Sequence, residues 1–133
     1  MSGESPTHMR LVEWLIDHIE ERTRHHSNIM VYADHHRFGE NRPFQIGGFT
    51  PDVYACTVPD AVRIVGEAKT PGDLESERSA RQLAAFADHL ALYENSLLLI
   101  AVPWRAAPAA RSLARQLRTP ERAALQIEVH VGA

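Results

Sequence analysis

The apolar positions follow two periods, and the switches between them lay out the chain. Val12, Leu15, Ile16 and Ile19 recur at i, i+3, i+4 and i+7, with Glu13, Asp17, Glu20 and Arg24 on the other side. That spacing predicts an amphipathic helix from Thr7 to about Arg24. Asn28 to Ala33 is a short apolar run and predicts a strand. Residues 34–50 are polar and end in Gly47-Gly48, a long connection with a strand fragment around Phe44 to Ile46. Val53 to Val58 and Val62 to Lys69 predict two more strands. Between them Pro59-Asp60-Ala61 has turn chemistry, so the pair reads as an antiparallel hairpin. Thr70-Pro71-Gly72 ends the second of these strands. Asp73 or Ser76 can cap a helix to about Tyr93, with Leu83, Phe86, Ala87, Leu90 and Tyr93 on one face. Ser96 to Val102 is the most hydrophobic run and predicts a buried central strand. Pro103 and Trp104 open an Ala-rich helix to about Leu117, and the alternation over Leu125 to Val131 predicts a last strand. The order α-β-β-β-α-β-α-β predicts an α/β fold with a mixed sheet flanked by helices.

Composition narrows this picture in a few places. A chain of 133 residues supports one core, so residues 1–133 read as a single domain. One cysteine, Cys56, excludes an internal disulfide framework and a Cys-based zinc site. The run Leu97 to Pro103 is too short to span a bilayer, and Met1 to His8 has no secretory pattern, which sets a cytoplasmic, non-membrane expectation. A net charge of -3 gives no global basic signature for nucleic acid. Of the 14 Lys and Arg residues, 13 are Arg and the single lysine is Lys69. Where composition drives Lys toward Arg, the remaining lysine is a place to look for chemistry.

Lys69 sits in such a place. Pro51-Asp52 stands at the entrance of the hairpin and Glu67-Ala68-Lys69 at its exit. Strand side chains alternate, so Glu67 and Lys69 share a face and Ala68 points away. A hairpin closing at residues 59–61 brings Asp52 beside Glu67 and Lys69 at one end of the sheet. Two acids and a lysine on one face suit metal-dependent phosphodiester hydrolysis. Carboxylate oxygens hold a hard ion such as Mg²⁺, which polarises phosphoryl oxygen and acidifies water. The lysine orients or deprotonates that water, or stabilises the phosphorane charge. Arg is a poor substitute because it does not give up a proton.

These residues resemble the PD-(D/E)XK nuclease superfamily: Pro51-Asp52, fourteen intervening residues, then Glu67-Ala68-Lys69. The family's common core is α-β-β-β-α-β, the order read over residues 7–102. The resemblance implies a restriction-endonuclease-like core with an extra C-terminal helix and strand. It implies a Mg²⁺-dependent nuclease (Mn²⁺ as a substitute) acting on nucleic acid, DNA first, with a 5′-phosphate product. Asp52 and Glu67 would bind the metal with the Ala68 carbonyl as a further ligand, and Lys69 would handle the attacking water. RecB-like branches carry a Gln on the next helix with an aromatic four residues on; Gln82 and Phe86 have that spacing. Many members also place an acid of the first helix at the metal, for which Glu13 and Glu20 compete and Glu13 is preferred. Arg78 and Arg81, near the start of the helix after Lys69, are the expected substrate contacts. A homodimer fits a domain this small.

Other patterns compete. Asp34-His35-His36 resembles the signature triplet of the DHH phosphoesterases, but that family needs acidic motifs upstream, and only 33 residues precede the triplet here. Arg111, Arg115, Arg118 and Arg122 form a stripe that either tracks a phosphate backbone or is a solvated helix face. The alternative functional class is a catalytically inactive module of the same fold, used for nucleic-acid binding or protein assembly.

Overall fold

A computed structural model describes residues 5–57 and 62–132. Helix α1 (Pro6–Thr23) leads into strand β1 (Ile29–Ala33), and a long connection reaches β2 (Val53–Thr57). Strand β3 (Arg63–Ala68) is followed by a one-turn helix α2 (Pro71–Leu74), then α3 (Glu77–Leu90) and β4 (Ser96–Val102). Helix α4 (Ala107–Leu117) and β5 (Leu125–Val131) complete the chain. The sheet order is β1-β2-β3-β4-β5. The pairs β1/β2 and β2/β3 are antiparallel, whereas β3/β4 and β4/β5 are parallel. This is an α/β fold built on a mixed, open five-stranded sheet with helices against both faces.

Each face has its own core. Leu11, Leu15, Ile16 and Ile19 of α1 pack with Ala33, Val53, Ala55, Ile64, Ala68, Leu97, Leu99 and Ala101. On the other face α3 and α4 cover Tyr54, Val65, Leu98, Ile100, Val102 and Ile127. The period-two alternation of a strand thus sends successive residues of β4 into different cores. That is why Ser96–Val102 is buried along its whole length and shows no polar alternation.

Several expectations need adjustment. The fragment at Phe44 to Ile46 is only an isolated bridge between Ile46 and Phe49. The single helix expected after Lys69 is two: Thr70 starts α2, and Ser76, whose hydroxyl accepts the Ser79 N–H at 3.1 Å, restarts the chain as α3. The restart turns Ser79 inward. Helix α3 ends at Leu90 and not at Tyr93. Residues 104–106 form a 3-10 turn before α4. Val58 and the turn expected at Pro59-Asp60-Ala61 lie outside the described residues. Among the described residues no helix is long and apolar enough to cross a membrane.

Gly66 sets how closely α1 approaches the sheet. A Cβ there would stand 3.2 Å from both Ile19 Cδ1 and Leu15 Cδ2. Gly66→Val is expected to cost about 1–3 kcal/mol by overpacking this seam, read as a lower denaturant midpoint with an unchanged slope. A variant as stable as the wild type would show that α1 is not seated as described.

Candidate active site

The hairpin register creates the site. Val53 pairs with Gly66, so Asp52, one residue before β2, falls opposite Glu67. The two acids are laced through each other's backbones. The Asp52 N–H donates to Glu67 Oε1 at 3.0 Å, and the Ala68 N–H donates to Asp52 Oδ2 at 2.8 Å. The Asp52 carbonyl accepts the Asp34 N–H at 2.9 Å, tying the end of β1 to the same place.

Lys69 follows β3 directly, and its N–H donates to the Ala101 carbonyl at 2.9 Å. Its ammonium lies 3.3 Å from Glu67 Oε2 and donates to Ser79 Oγ at 3.1 Å and to Gln82 Oε1. Ser79 and Gln82 are one turn apart on α3, so a single helix face holds the lysine. Asp52, Glu67 and Lys69 are only 9%, 3% and 5% exposed. Ionised groups are seldom buried so deeply unless paired.

Burial pushes the Glu67 carboxyl up to about 8, and the charge of Asp52 pushes the same way. The Lys69 ammonium and the Asp52 N–H oppose this without overcoming it. Two adjacent buried acids with one nearby ammonium therefore favour holding a proton, or a cation in its place. Asp73 stands at the rim. Burial alone would raise its pKa, but hydrogen bonds from the Thr70 N–H and hydroxyl, with the charges of Lys69 and His8, lower it.

The first helix contributes an unexpected residue. His8 Nε2 lies 3.4 Å from Asp52 Oδ1. The preferred acid, Glu13, is turned elsewhere: its carboxylate meets His35 Nε2 at 3.0 Å and is 47% exposed. Helical geometry explains the exchange. His8 extends the stripe Leu11, Val12, Leu15 one turn toward the N-terminus, whereas Glu13 lies beside that stripe. The signal was thus present at i, i+3, i+4 and i+7. Glu20 is exposed. Ser79 was also missed, and its i, i+3 relation to Gln82 was the signal for it.

The remaining candidates separate. Arg78 and Arg81 are both exposed on α3 beside Ser79 and Gln82, and the Arg78 guanidinium lies 5.1 Å from the Phe49 ring centroid. The arginine stripe divides: Arg118 donates to the Ile127 carbonyl and Arg122 pairs with Asp88, while Arg111 and Arg115 are exposed. Asp34 pairs with Arg42, and His35 is buried, accepting the Arg37 N–H at 3.1 Å, so the Asp-His-His triplet orders its loop. A cavity of about 290 Å³ opens at the other end of the sheet, between Arg22, His26, Ile64, Asn95 and Gln126. It takes in none of the acid–lysine cluster.

The donor set suits a hard divalent ion. Asp52 and Glu67 offer carboxylate oxygens and Ala68 a carbonyl, and Mg²⁺ ordinarily fills its other positions with water. The elevated Glu67 pKa marks where positive charge is wanted. No cluster of three or more His, Cys, Asp and Glu side chains suited to a metal occurs among the described residues, so waters and a carbonyl would complete the shell. The chain matches no protein-family model, no curated protein and no solved structure.

Proposed function

We propose that this chain is a Mg²⁺-dependent nuclease of the PD-(D/E)XK type, with a restriction-endonuclease-like core, that hydrolyses DNA phosphodiester bonds. One observation carries the reading: Asp52 and Glu67 are interlocked at the mouth of β2 and β3, with Lys69 buried against Glu67. A module that only binds or assembles has no need for three converging buried ionisable groups, each of which costs desolvation.

Asp52, Glu67 and the Ala68 carbonyl would hold the ion. When bound, it supplies polarisation of the phosphoryl oxygen and acidification of water. Lys69 orients the attacking water and stabilises charge on the phosphorane. Ser79 and Gln82 hold the ammonium in place beside Glu67. Attack in line with the leaving group forms a new P–O bond and breaks the bond to the 3′ oxygen, leaving a 5′-phosphate. Arg78 and Arg81 would neutralise neighbouring phosphates. The setting is cytoplasmic, with a homodimer as the working form.

The test is incubation of the purified protein with plasmid, linear and single-stranded DNA and with RNA, in Mg²⁺, Mn²⁺ or chelator. Cleavage of DNA that stops in chelator is expected. No cleavage of any substrate, with no metal bound in titration calorimetry, would support the inactive binding module instead.

A further inference from the structure

The loop that follows β4 carries an exposed aromatic three residues from a backbone contact of the cluster. Strands β3 and β4 are parallel, with Ala68 opposite Ala101, so their carboxyl ends lie together. The Ala101 carbonyl holds the Lys69 N–H, and Trp104 comes three residues later. Three residues span at most about 10 Å, so the Trp104 backbone stays close to the site. Helix α2, which leaves Lys69 directly, packs against the 3-10 turn Trp104–Ala106.

Trp104 is 72% exposed, while Trp14, the other tryptophan, is half-buried against His18 and His130. Tryptophan is a residue that folding normally covers, so an exposed indole beside a polar site is open to a ligand. The Arg105 guanidinium lies 5.8 Å from its ring centroid. Arg111 and Arg115 continue the exposed positive charge along α4. An exposed indole with one guanidinium over its ring is complementary to a nucleobase and its phosphate. In a duplex both faces of a base are covered by its neighbours, so only an unpaired base can use such a surface.

We propose that Trp104 and Arg105 form a stacking platform for an unpaired nucleotide next to the cleaved bond, which makes single-stranded nucleic acid the preferred ligand. This rests on the nuclease reading for its place in the reaction, but not for its test.

The test uses the Trp14→Phe protein, whose fluorescence reports Trp104 alone, in chelator so that nothing is cut. An oligothymidylate of about twelve nucleotides and a duplex of equal length are titrated. The single strand is expected to quench the emission and to bind about tenfold or more tighter than the duplex. Trp104→Ala is expected to weaken single-strand binding, measured by anisotropy of a labelled oligonucleotide, by about tenfold or more, with Trp104→Phe between them. Equal binding of the two ligands, or Trp104→Ala binding like the wild type, would overturn the platform. Loss of a dimer in Trp104→Ala, with oligonucleotide binding unchanged, would overturn it too and assign the indole to self-association. Single-strand quenching by a protein that cleaves nothing in any metal would keep the platform and remove the nuclease reading. Metal-dependent cleavage with no effect of Trp104→Ala on binding would do the reverse.

Discussion

Lys69→Ala is expected to lower metal-dependent cleavage by about a hundredfold or more, the scale of losing one preorganised charge-stabilising donor. The wild-type ammonium is buried and fixed by Glu67, Ser79 and Gln82, so its positive charge is held in place beside the carboxylate pair. Lys69→Arg is expected to fail nearly as badly. A planar guanidinium is larger than the ammonium that Ser79 and Gln82 hold, and it does not release a proton. Removing the ammonium also takes away one influence that lowers the Glu67 pKa, so residual activity should rise toward higher pH than in the wild type. The checks are initial cleavage rates across pH for the three proteins, with far-UV circular dichroism to confirm folding. Full activity in Lys69→Arg would return the lone lysine to a compositional accident.

Glu67→Gln should separate stability from activity. In the folded protein without metal, Glu67 keeps its proton up to about pH 8 because burial and Asp52 disfavour its charge. Between its ordinary pKa of 4.5 and about 8 the folded state therefore binds more protons at this site than the unfolded chain. Stability from this group is present below the lower value and is lost as pH rises through the upper one. Wild-type protein in chelator should accordingly lose melting temperature between about pH 5 and about pH 9 relative to Glu67→Gln, which has no proton to lose. Added Mg²⁺ should restore the wild type at the alkaline end and leave the variant unchanged, because an ion can replace the proton only where the carboxylate remains. Cleavage by the variant should fall by about a hundredfold or more, since a neutral amide is a poor ligand for a hard cation. A wild type whose melting temperature tracks that of the variant across this range would contradict the buried-acid account.

Much of this was legible in the chain. Helical periodicity, strand alternation and short apolar runs located the long elements, because each buries one face or both. Asp52, Glu67 and Lys69 could be brought together from sequence since strand alternation and hairpin pairing leave little freedom at the two ends of a hairpin. Gln82 was legible by its spacing to Phe86, and it holds Lys69 and is not simply solvated.

What was not legible depended on how layers meet. The break between α2 and α3 rests on Thr70 and Ser76 each starting a helix, whereas the sequence offered Asp73 or Ser76 as the cap of one long helix. Glu13 has the right chemistry for a metal site but lies beside the stripe that faces the sheet, and its carboxylate is used by His35. His8 is on the stripe, but its spacing to Leu11, Val12 and Leu15 marks a face and not a role. The outer half of the arginine stripe is likewise decided by distant partners, the Ile127 carbonyl and Asp88.

The most direct test of the central claim is the Mg²⁺-dependent cleavage rate of linear DNA by wild-type protein and Asp52→Ala, measured side by side at equal folded concentration. Asp52 makes no direct hydrogen bond to Lys69, so its removal probes the carboxylate pair first. A wild-type rate that vanishes in chelator and falls by about a hundredfold or more in Asp52→Ala is the expected result. Metal-dependent cleavage that survives the substitution would place the chemistry elsewhere and contradict the site.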